Sequence, residues 1–428
     1  MGNAVNEITF RAPRVCYADM LLVNQVIKFS TGSGLITFSS LESGDSGDHI
    51  TQSSEKLEEG QETLDLAEDD VLAPGLIELQ TNGLYGVHFT TLTRDNHEAQ
   101  LRPVAGKMAE HGVTGWFATI PTVEEGKWKE ILPLLKARSF EEIGGSPLLG
   151  AHVEGPYLHP TKKGAHNDAY FKTPSLHDFR KLYGEDNLRE VIKYITVAPE
   201  LEGALDMIQD IRRFYPHIVT SLGHSTATYN IGVQAVQLGA RSITHVFNAM
   251  NPLHHREDPG LAGLVSMPLS TSSPYFTLIP DLVHLHPAVL RMCYQASPSR
   301  CTLITDSIEL AGLPDGIYPA NGQITYPQRK LGNRATNVVD GSKGEKETLI
   351  GSCITLAEGI RNMVRDADVT MAEAVTCASA NLADLMKDES RGRLVAGRRA
   401  DFVVFDQSGY VRQTWMSGQL VWRAGRTQ

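Results

Sequence analysis

From residue 71 onward, the chain alternates short apolar runs with amphipathic stretches of about 10 to 15 residues. Runs rich in β-branched residues predict buried strands, and the amphipathic stretches predict helices that cover them. Eight parallel strands with intervening helices close a barrel. We therefore predict an α/β protein built on a TIM-like (β/α)8 barrel, with strands near residues 75–80, 114–120, 147–154, 193–199, 217–224, 241–247, 275–281 and 301–306.

The two chain ends differ from this central part. Residues 8–38 alternate in short strand-like runs, and residues 400–405 and 420–422 do the same. Both ends are expected to pair into one small β-sandwich-like domain. The predicted division is a small β domain from residues 1–72 plus 395–428 and a barrel domain from residues 73–394.

The negative charge of the chain is concentrated in one segment. The formal net charge is -11, and residues 41–70 hold 11 acidic residues against the single Lys56. We interpret this segment as a solvated acidic insertion in the small β domain. The rest of the chain is nearly neutral, so nucleic acid is not an expected partner.

Cysteine usage and hydropathy indicate a cytoplasmic protein. The five cysteines are an odd number without C-x-x-C spacing, which is typical of a reducing compartment. No stretch approaches the roughly 18 consecutive apolar residues of a membrane span, so no membrane partner is expected.

Four of the predicted strands end in residues that suit metal-dependent hydrolysis. These residues are Glu154, His224, His245 and Asp306. Barrel enzymes place their chemistry at the carboxyl ends of the strands, and two histidines with one carboxylate leave an open metal position for water. Three structural alternatives stay open at this point: Glu154 could cap the next helix or pair with Lys162, and Asp306 could cap a following helix.

The motifs occur in a family-like order and spacing. They include His-Val-Glu-Gly-Pro at 152–156, Lys-Lys-Gly-Ala-His at 162–166, Gly-His-Ser at 223–225, Thr-His-Val-Phe-Asn-Ala-Met at 244–250 and Thr-Asp-Ser at 305–307. Residues 73–83, 256–263, 281–284 and 351–362 match as well. Together they resemble the N-acetylglucosamine-6-phosphate deacetylases of the amidohydrolase superfamily, over residues 73–406.

The resemblance implies a metal held by Glu154, His224 and His245, with Asp306 as the catalytic acid/base. The superfamily often begins with a His-x-His metal pair, but here the corresponding positions are Gln80 and Asn82. Amide groups are poor metal ligands, so we expect one divalent cation. Zinc is the expected ion, and iron(II), manganese or cobalt suit the same ligands.

The resemblance also implies a sugar-phosphate substrate and a homodimer. His166 would either bind the phosphate or polarise the scissile carbonyl, and both alternatives stay open. Arg256 is expected to reach the active site of the neighbouring subunit. The full set of expected substrate-binding residues is Gln80, Ala165, His166, Asn248, Ala249, Arg256, His284, Leu349, Ile350 and Gly351.

The expected reaction is deacetylation of N-acetyl-D-glucosamine 6-phosphate to D-glucosamine 6-phosphate and acetate, in amino-sugar catabolism. Leu282 and Val283 stand where the family usually has glycine, and Ile350 and Cys353 where serines are common. Two other functions are considered: a cyclic-amide hydrolase of the dihydroorotase or hydantoinase kind, and a catalytically silent barrel scaffold. The absence of a His-x-His pair argues against the first, and the presence of all four site residues argues against the second.

Overall fold

The structure is a computed structural model that describes residues 7–42, 61–253, 263–270, 274–322, 324–338 and 347–425. Two sequence-based predictions fall partly or wholly outside these residues. One is the acidic insertion, of which residues 43–60 are not described, and the other is Arg256.

Eight parallel strands form the central barrel, as the sequence predicts. Neighbouring strands follow chain order around the sheet. A bridge between Thr81 and Ser307 and a 2.9 Å hydrogen bond from the Asp306 amide to the Gln80 carbonyl join the last strand to the first. The strands are Leu76–Thr81, Val113–Pro121, Leu148–Glu154, Ile192–Val197, Val219–Leu222, Ser242–Ile243, Tyr275–Leu278 and Cys301–Leu303.

The strands are buried on both faces because helices cover the outside of the barrel. Every residue of Val113–Pro121 is buried, as expected for a strand with side chains in both the interior and the helix layer. The helix Ala204–Phe214 buries Ala204, Met207, Ile208 and Ile211, which recur at three- and four-residue spacing. The α-helices are His97–Glu110, Glu125–Ile131, Phe140–Ile143, Phe179–Tyr183, Glu185–Glu190, Ala204–Phe214, Tyr229–Leu238, Pro287–Ala296, Leu356–Asp366, Met371–Cys377 and Ala380–Met386.

In two stretches of the sequence, apolar residues recur at helical spacing over a longer range than the helix that forms. The pattern over residues 124–138 gives a helix only to Ile131, followed by a 3-10 turn that contains Pro133, because proline cannot donate the backbone hydrogen bond that continues an α-helix. The pattern over residues 371–386 is divided at Ala378 and Ser379 into two helices. None of the helices in the described part of the chain is long and apolar enough to cross a membrane.

The small β domain is a mostly antiparallel sheet to which both chain ends contribute. Phe10, Phe29, Phe402 and Trp415 pack together in its core, with contacting ring centroids 4.9 to 6.0 Å apart. The predicted boundaries of the two domains stay a prediction, although the strand Asp70–Pro74 pairs with Phe402–Asp406 and continues past residue 72. The strands are Glu7–Tyr17, Met20–Ser30, Ile36–Ser39, Gln61–Asp65, Asp70–Pro74, Phe402–Asp406, Val411–Met416 and Gln419–Arg423.

Two further β elements lie at the carboxyl ends of the barrel strands. A short hairpin, Gly83–Leu84 with Val87–His88, directly follows the first strand. An antiparallel sheet follows the eighth strand, where the sequence shows only a polar, glycine-containing stretch. Its strands are Gly316–Tyr318, Gln328–Leu331, Arg334–Asn337 and Leu349–Ser352, and the last of them returns to the mouth of the barrel.

Candidate active site

Glu154, His224, His245 and Asp306 all lie where barrel strands end. Glu154 is the last residue of its strand, and the other three follow their strands within three residues. His224, His245 and Asp306 have φ angles of 49°, 31° and 48°, a left-handed conformation that residues other than glycine rarely adopt. Such backbone strain is typical of functional sites.

The side chains of Glu154, His224 and His245 converge on one point. Glu154 Oε1 lies 3.0 Å from His245 Nε2 and 3.3 Å from His224 Nε2, and the two Nε2 atoms are 3.1 Å apart. Ligands bound to zinc at about 2.0–2.1 Å in tetrahedral geometry are separated by roughly 3.3 Å. The spacing of these three atoms therefore fits a shared cation.

A hydrogen bond sets the tautomer of His224 that a metal ligand needs. Its Nδ1 lies 2.8 Å from the carbonyl oxygen of Lys162. Since that oxygen can only accept, Nδ1 carries the proton and the lone pair of the neutral ring is on Nε2, which faces Glu154. Lys162 does not pair with Glu154, because its ammonium group donates to the carbonyl of Met250 at 3.0 Å.

His166 also approaches the ligand set, with Nε2 3.7 Å from Glu154 Oε2. Glu154, His166 and His224 form a group that could hold a metal on distance alone. The backbone amide of Thr122, however, donates to His166 Nδ1 at 3.2 Å. This bond places the proton of the neutral ring on Nε2, so His166 faces the site as a hydrogen-bond donor and His245 is the better third ligand.

The electrostatics of Glu154 suit a cation site. Burial alone raises the pKa of its carboxyl group, but hydrogen bonds with His166, His224 and His245 outweigh burial and hold the pKa well below its usual value. The carboxylate is therefore charged at neutral pH.

Asp306 has the opposite balance. Burial and the neighbouring charge of Glu154 raise its pKa to about 6. Its Oδ1 accepts hydrogen bonds from Gln80 Nε2 at 3.2 Å and from Asn82 Nδ2 at 3.0 Å. Asp306 caps no helix, since residues 307–322 contain none and the next α-helix of the described residues begins at Leu356 with Thr355 as its N-cap. A carboxylate with a pKa near neutrality suits proton transfer.

A cavity of about 230 Å³ opens above these residues. It brings together most of the expected substrate-binding residues, whereas Gln80 lies beneath the cavity and bridges Glu154 Oε1 and Asp306 Oδ1 through its amide nitrogen. Arg256 lies outside the described residues. The expected residues that line the cavity are Ala165, His166, Asn248, Ala249, His284, Leu349, Ile350 and Gly351.

His284 is held in one orientation by Asp281. Its Nδ1 lies 2.6 Å from Asp281 Oδ2, and the same carboxylate accepts the backbone amides of Val283 and His284 through Oδ1. The Nδ1 proton therefore points to Asp281, which leaves Nε2 for the cavity. Leu282 occupies the glycine-like position in this turn with a φ of 63°.

Sequence reasoning missed several residues of the cavity wall. His88 is the one with ionisable chemistry, and it belongs to the hairpin after the first strand. A histidine two residues after Gly86 carries no metal-ligand spacing, so only the fold shows that it reaches the site. The other missed residues are Asn82, Pro121, Gly164, Ile308, Ile324 and Thr348.

The sequence profile of the Amidohydrolase family matches residues 71–421. The chain belongs to this family. N-acetylglucosamine-6-phosphate deacetylase of Rattus norvegicus is 35% identical over 364 residues, which cover 83% of this chain and 84% of the rat protein. N-acetylgalactosamine-6-phosphate deacetylase of Escherichia coli O157:H7 is 31% identical, over 82% of this chain and 88% of the bacterial protein.

The fold of the chain agrees with its membership of this family. The crystal structure of N-acetylglucosamine-6-phosphate deacetylase from Pasteurella multocida superimposes with a TM-score of 0.80 at 25% identity. The superposition covers 97% of this chain and 99% of that structure. The barrel and the small β domain are therefore the architecture of a hydrolytic enzyme of the amidohydrolase family.

Proposed function

We propose that this protein hydrolyses the acetamide of N-acetyl-D-glucosamine 6-phosphate, releasing acetate and D-glucosamine 6-phosphate. The observation that carries the proposal is the convergence of Glu154, His224 and His245 within 3.0 to 3.3 Å of one another, next to an aspartate with a raised pKa. The relatives named above act on two hexosamine phosphates that differ only at one ring carbon, and both substrates need the same chemistry at the acetamide.

Glu154, His224 and His245 would hold one divalent cation, and zinc is the ion we propose. When bound, the cation supplies Lewis acidity to water and to the amide carbonyl. Gln80 fixes the direction of the Glu154 carboxylate, since its amide nitrogen donates to Oε1 at 3.0 Å. The amides at Gln80 and Asn82 favour a single cation over a pair.

Asp306 moves the proton in both halves of the reaction. The carboxylate takes a proton from the attacking water and later gives it to the departing nitrogen of the sugar. Without the second transfer, the amine would have to leave as an anion. The hydrogen bonds from Gln80 and Asn82 keep the carboxylate turned toward the cavity.

His166 is proposed to polarise the scissile carbonyl. The tautomer set by the Thr122 amide directs its Nε2 proton toward the metal site, and a donor aimed at a developing oxyanion lowers the barrier of acyl transfer. We assign phosphate binding to His284, the Asn248–Ala249 turn and Arg256 of a neighbouring subunit in a homodimer. A cytoplasmic location is consistent with five free, buried cysteines.

The proposal is tested with the zinc-loaded protein by measuring acetate release from the two hexosamine phosphates and, in a separate assay, ring opening of dihydroorotate, which has no acetyl group. We expect turnover of N-acetylglucosamine 6-phosphate, lower activity on the galactosamine epimer, and none on dihydroorotate. The Asp306→Asn protein is the matched control, because its amide oxygen can still accept the bonds from Gln80 and Asn82. Turnover of dihydroorotate instead of the sugar phosphates would support a cyclic-amide hydrolase, and no turnover of any substrate would support a silent barrel.

A further inference from the structure

Three residues that line the active-site cavity each have a buried polar atom without a hydrogen-bond partner among the described residues, namely His88 at Nε2, Asn82 at Oδ1 and His245 at Nδ1. His245 faces the proposed metal site through its Nε2, so His88 and Asn82 are the two that remain for the substrate. The two residues are only 1% and 6% exposed. Buried polar groups in folded proteins nearly always have a partner, so unpaired atoms that line a substrate cavity indicate that a ligand completes them.

The tautomer of His88 is set by its neighbour Thr90. The backbone amide of Thr90 donates to His88 Nδ1 at 3.2 Å. Nδ1 is therefore an acceptor, and the proton of the neutral ring is on Nε2. Burial lowers the pKa of His88, which keeps the ring neutral at physiological pH. His88 thus presents one N–H donor to the cavity.

Asn82 presents the complementary group. Its Nδ2 donates to Asp306 Oδ1 at 3.0 Å, and an ionised carboxylate can only accept. This contact fixes the orientation of the side-chain amide, so Oδ1 is the atom left unpaired. Asn82 thus presents one acceptor to the cavity.

The hairpin after the first barrel strand holds the donor and the acceptor side by side. His88 pairs with Gly83, the residue that follows Asn82. Gly322 packs against the imidazole, since a Cβ atom at that position would lie 3.0 Å from His88 Nδ1 and 2.4 Å from Thr90 Oγ1. Both side chains are therefore preorganised before a ligand binds.

We propose that His88 and Asn82 together recognise one hydroxyl group of the sugar. A hydroxyl both accepts and donates, so its oxygen would take the proton of His88 Nε2 while its own proton is donated to Asn82 Oδ1. The inference rests on the proposed function and adds a specificity determinant to it. A polar pair of this kind rejects analogues that lack the hydroxyl, because the two buried atoms would then stay unpaired.

The position of Asn82 indicates which hydroxyl is bound. Asn82 contacts Asp306, the group that returns a proton to the nitrogen on C2 of the sugar. The hydroxyl that reaches Asn82 is therefore on a carbon next to C2, which is C1 or C3. The hydroxyl on C4, which distinguishes the glucose and galactose series, is farther from that nitrogen.

The first test replaces the donor. We expect His88→Phe to lower kcat/KM for N-acetylglucosamine 6-phosphate about 10-fold, the effect of leaving a buried hydrogen bond unmade. His88→Gln should recover most of the loss, because its amide N–H reaches the place of Nε2. His217→Phe, at a histidine outside the cavity and just before the barrel strand Val219–Leu222, is the control and should leave kcat/KM unchanged.

The second test removes the hydroxyl instead. Wild-type enzyme should lose about 10-fold in kcat/KM on the 1-deoxy or the 3-deoxy analogue, and His88→Phe should lose little more on that same analogue. The ratio of kcat/KM between the C4 epimers should be the same in both proteins.

A binding measurement is a further test. In an Asp306→Asn background, His88→Phe should weaken binding of the intact substrate about 10-fold by calorimetry.

The outcomes separate the inference from the proposed function. If the wild type is active and His88→Phe keeps full kcat/KM, the inference alone is overturned. The same follows if the loss of kcat/KM caused by His88→Phe on the intact substrate is repeated in full on the deoxy analogue. A His88→Gln variant as impaired as His88→Phe, with unaltered metal content and thermal unfolding, overturns it too. A zinc-loaded wild type that releases no acetate from either sugar phosphate overturns the proposed function, and the inference with it.

Discussion

Three histidines surround Glu154, and their hydrogen bonds give them different roles. The ring of His224 donates through Nδ1 to a carbonyl oxygen, whereas the ring of His166 accepts through Nδ1 from a backbone amide. The first arrangement leaves a lone pair on Nε2 and the second leaves a proton there. Distance alone does not separate a metal ligand from a carbonyl-polarising donor at this site, but the tautomers do.

This difference predicts opposite results for two alanine variants. His224→Ala should lose bound zinc after dialysis, because one of three ligands is removed. His166→Ala should keep about one zinc per chain while its turnover falls about 100-fold, the typical effect of losing one oxyanion donor. Elemental analysis alongside acetate release checks both. Retention of zinc by His224→Ala and its loss from His166→Ala would instead assign the ligand role to His166.

Much of the site can be predicted from the sequence at the scale of single residues. Glu154, His224, His245 and Asp306 follow apolar runs, and the carboxyl ends of parallel strands meet at one end of a barrel. What the sequence does not show is orientation. Gln80 is expected to contact substrate, yet its amide lies beneath the cavity and holds two carboxylates, and such a role depends on side-chain contacts between distant strands.

At the scale of elements, strands are easier to predict than the structure that follows them. The eight barrel strands are buried runs with a strong hydrophobic signal, and each is found near its expected place. The sheet after the eighth strand is not predicted from the sequence, because its strands Gly316–Tyr318 and Gln328–Leu331 are short and carry exposed side chains. Without a buried face, alternation of apolar and polar residues is too weak to indicate a strand.

The first barrel strand carries a prediction about stability and pH. Glu78 is fully buried, and its Oε1 accepts from the amides of Gln80 and Thr305 at 3.0 and 3.3 Å. Burial raises its pKa to about 8. Between the ordinary value of 4.5 and about 8, the folded protein therefore binds more protons than the unfolded chain, so this residue lowers the free energy of unfolding as pH rises.

Glu78→Gln should remove this dependence, since an amide stays neutral at every pH in the range. The unfolding temperature of the variant should exceed that of wild type more at pH 8 than at pH 5.5. Differential scanning calorimetry of both proteins without added metal measures the difference. Glu62→Gln, in the small sheet, is the matched control and should show no such trend. If the unfolding temperature of Glu78→Gln exceeds that of wild type by no more at pH 8 than at pH 5.5, the assignment is contradicted.

At the scale of the whole molecule, the small β domain is built from both ends of the chain. The sheet that holds Phe10 and Phe402 joins residues almost 400 positions apart, and the sequence predicts this pairing because both ends show strand-like alternation. Arg256 carries the remaining prediction at this scale, namely that one subunit completes the active site of another.

A mixing experiment tests that prediction. Asp306→Asn and Arg256→Ala are each expected to lose most activity as homodimers. In a mixed dimer, the Arg256→Ala subunit keeps its own Asp306 and receives Arg256 of the partner subunit, so one site is intact. Unfolding and refolding the two proteins together should therefore restore up to about a quarter of wild-type activity, because random pairing puts half of the chains in mixed dimers. Activity no higher than the average of the two variants would place Arg256 in its own subunit's site or outside any site.

Glu154, His224 and His245 are proposed to hold one cation on which hydrolysis depends. The most direct test is a titration of zinc into chelator-stripped protein, with bound metal and acetate release from N-acetylglucosamine 6-phosphate measured on the same samples. Activity should rise in proportion to occupancy and reach its maximum at one zinc per chain. Full activity in the stripped protein, or a maximum reached only at two zinc ions per chain, would contradict the account.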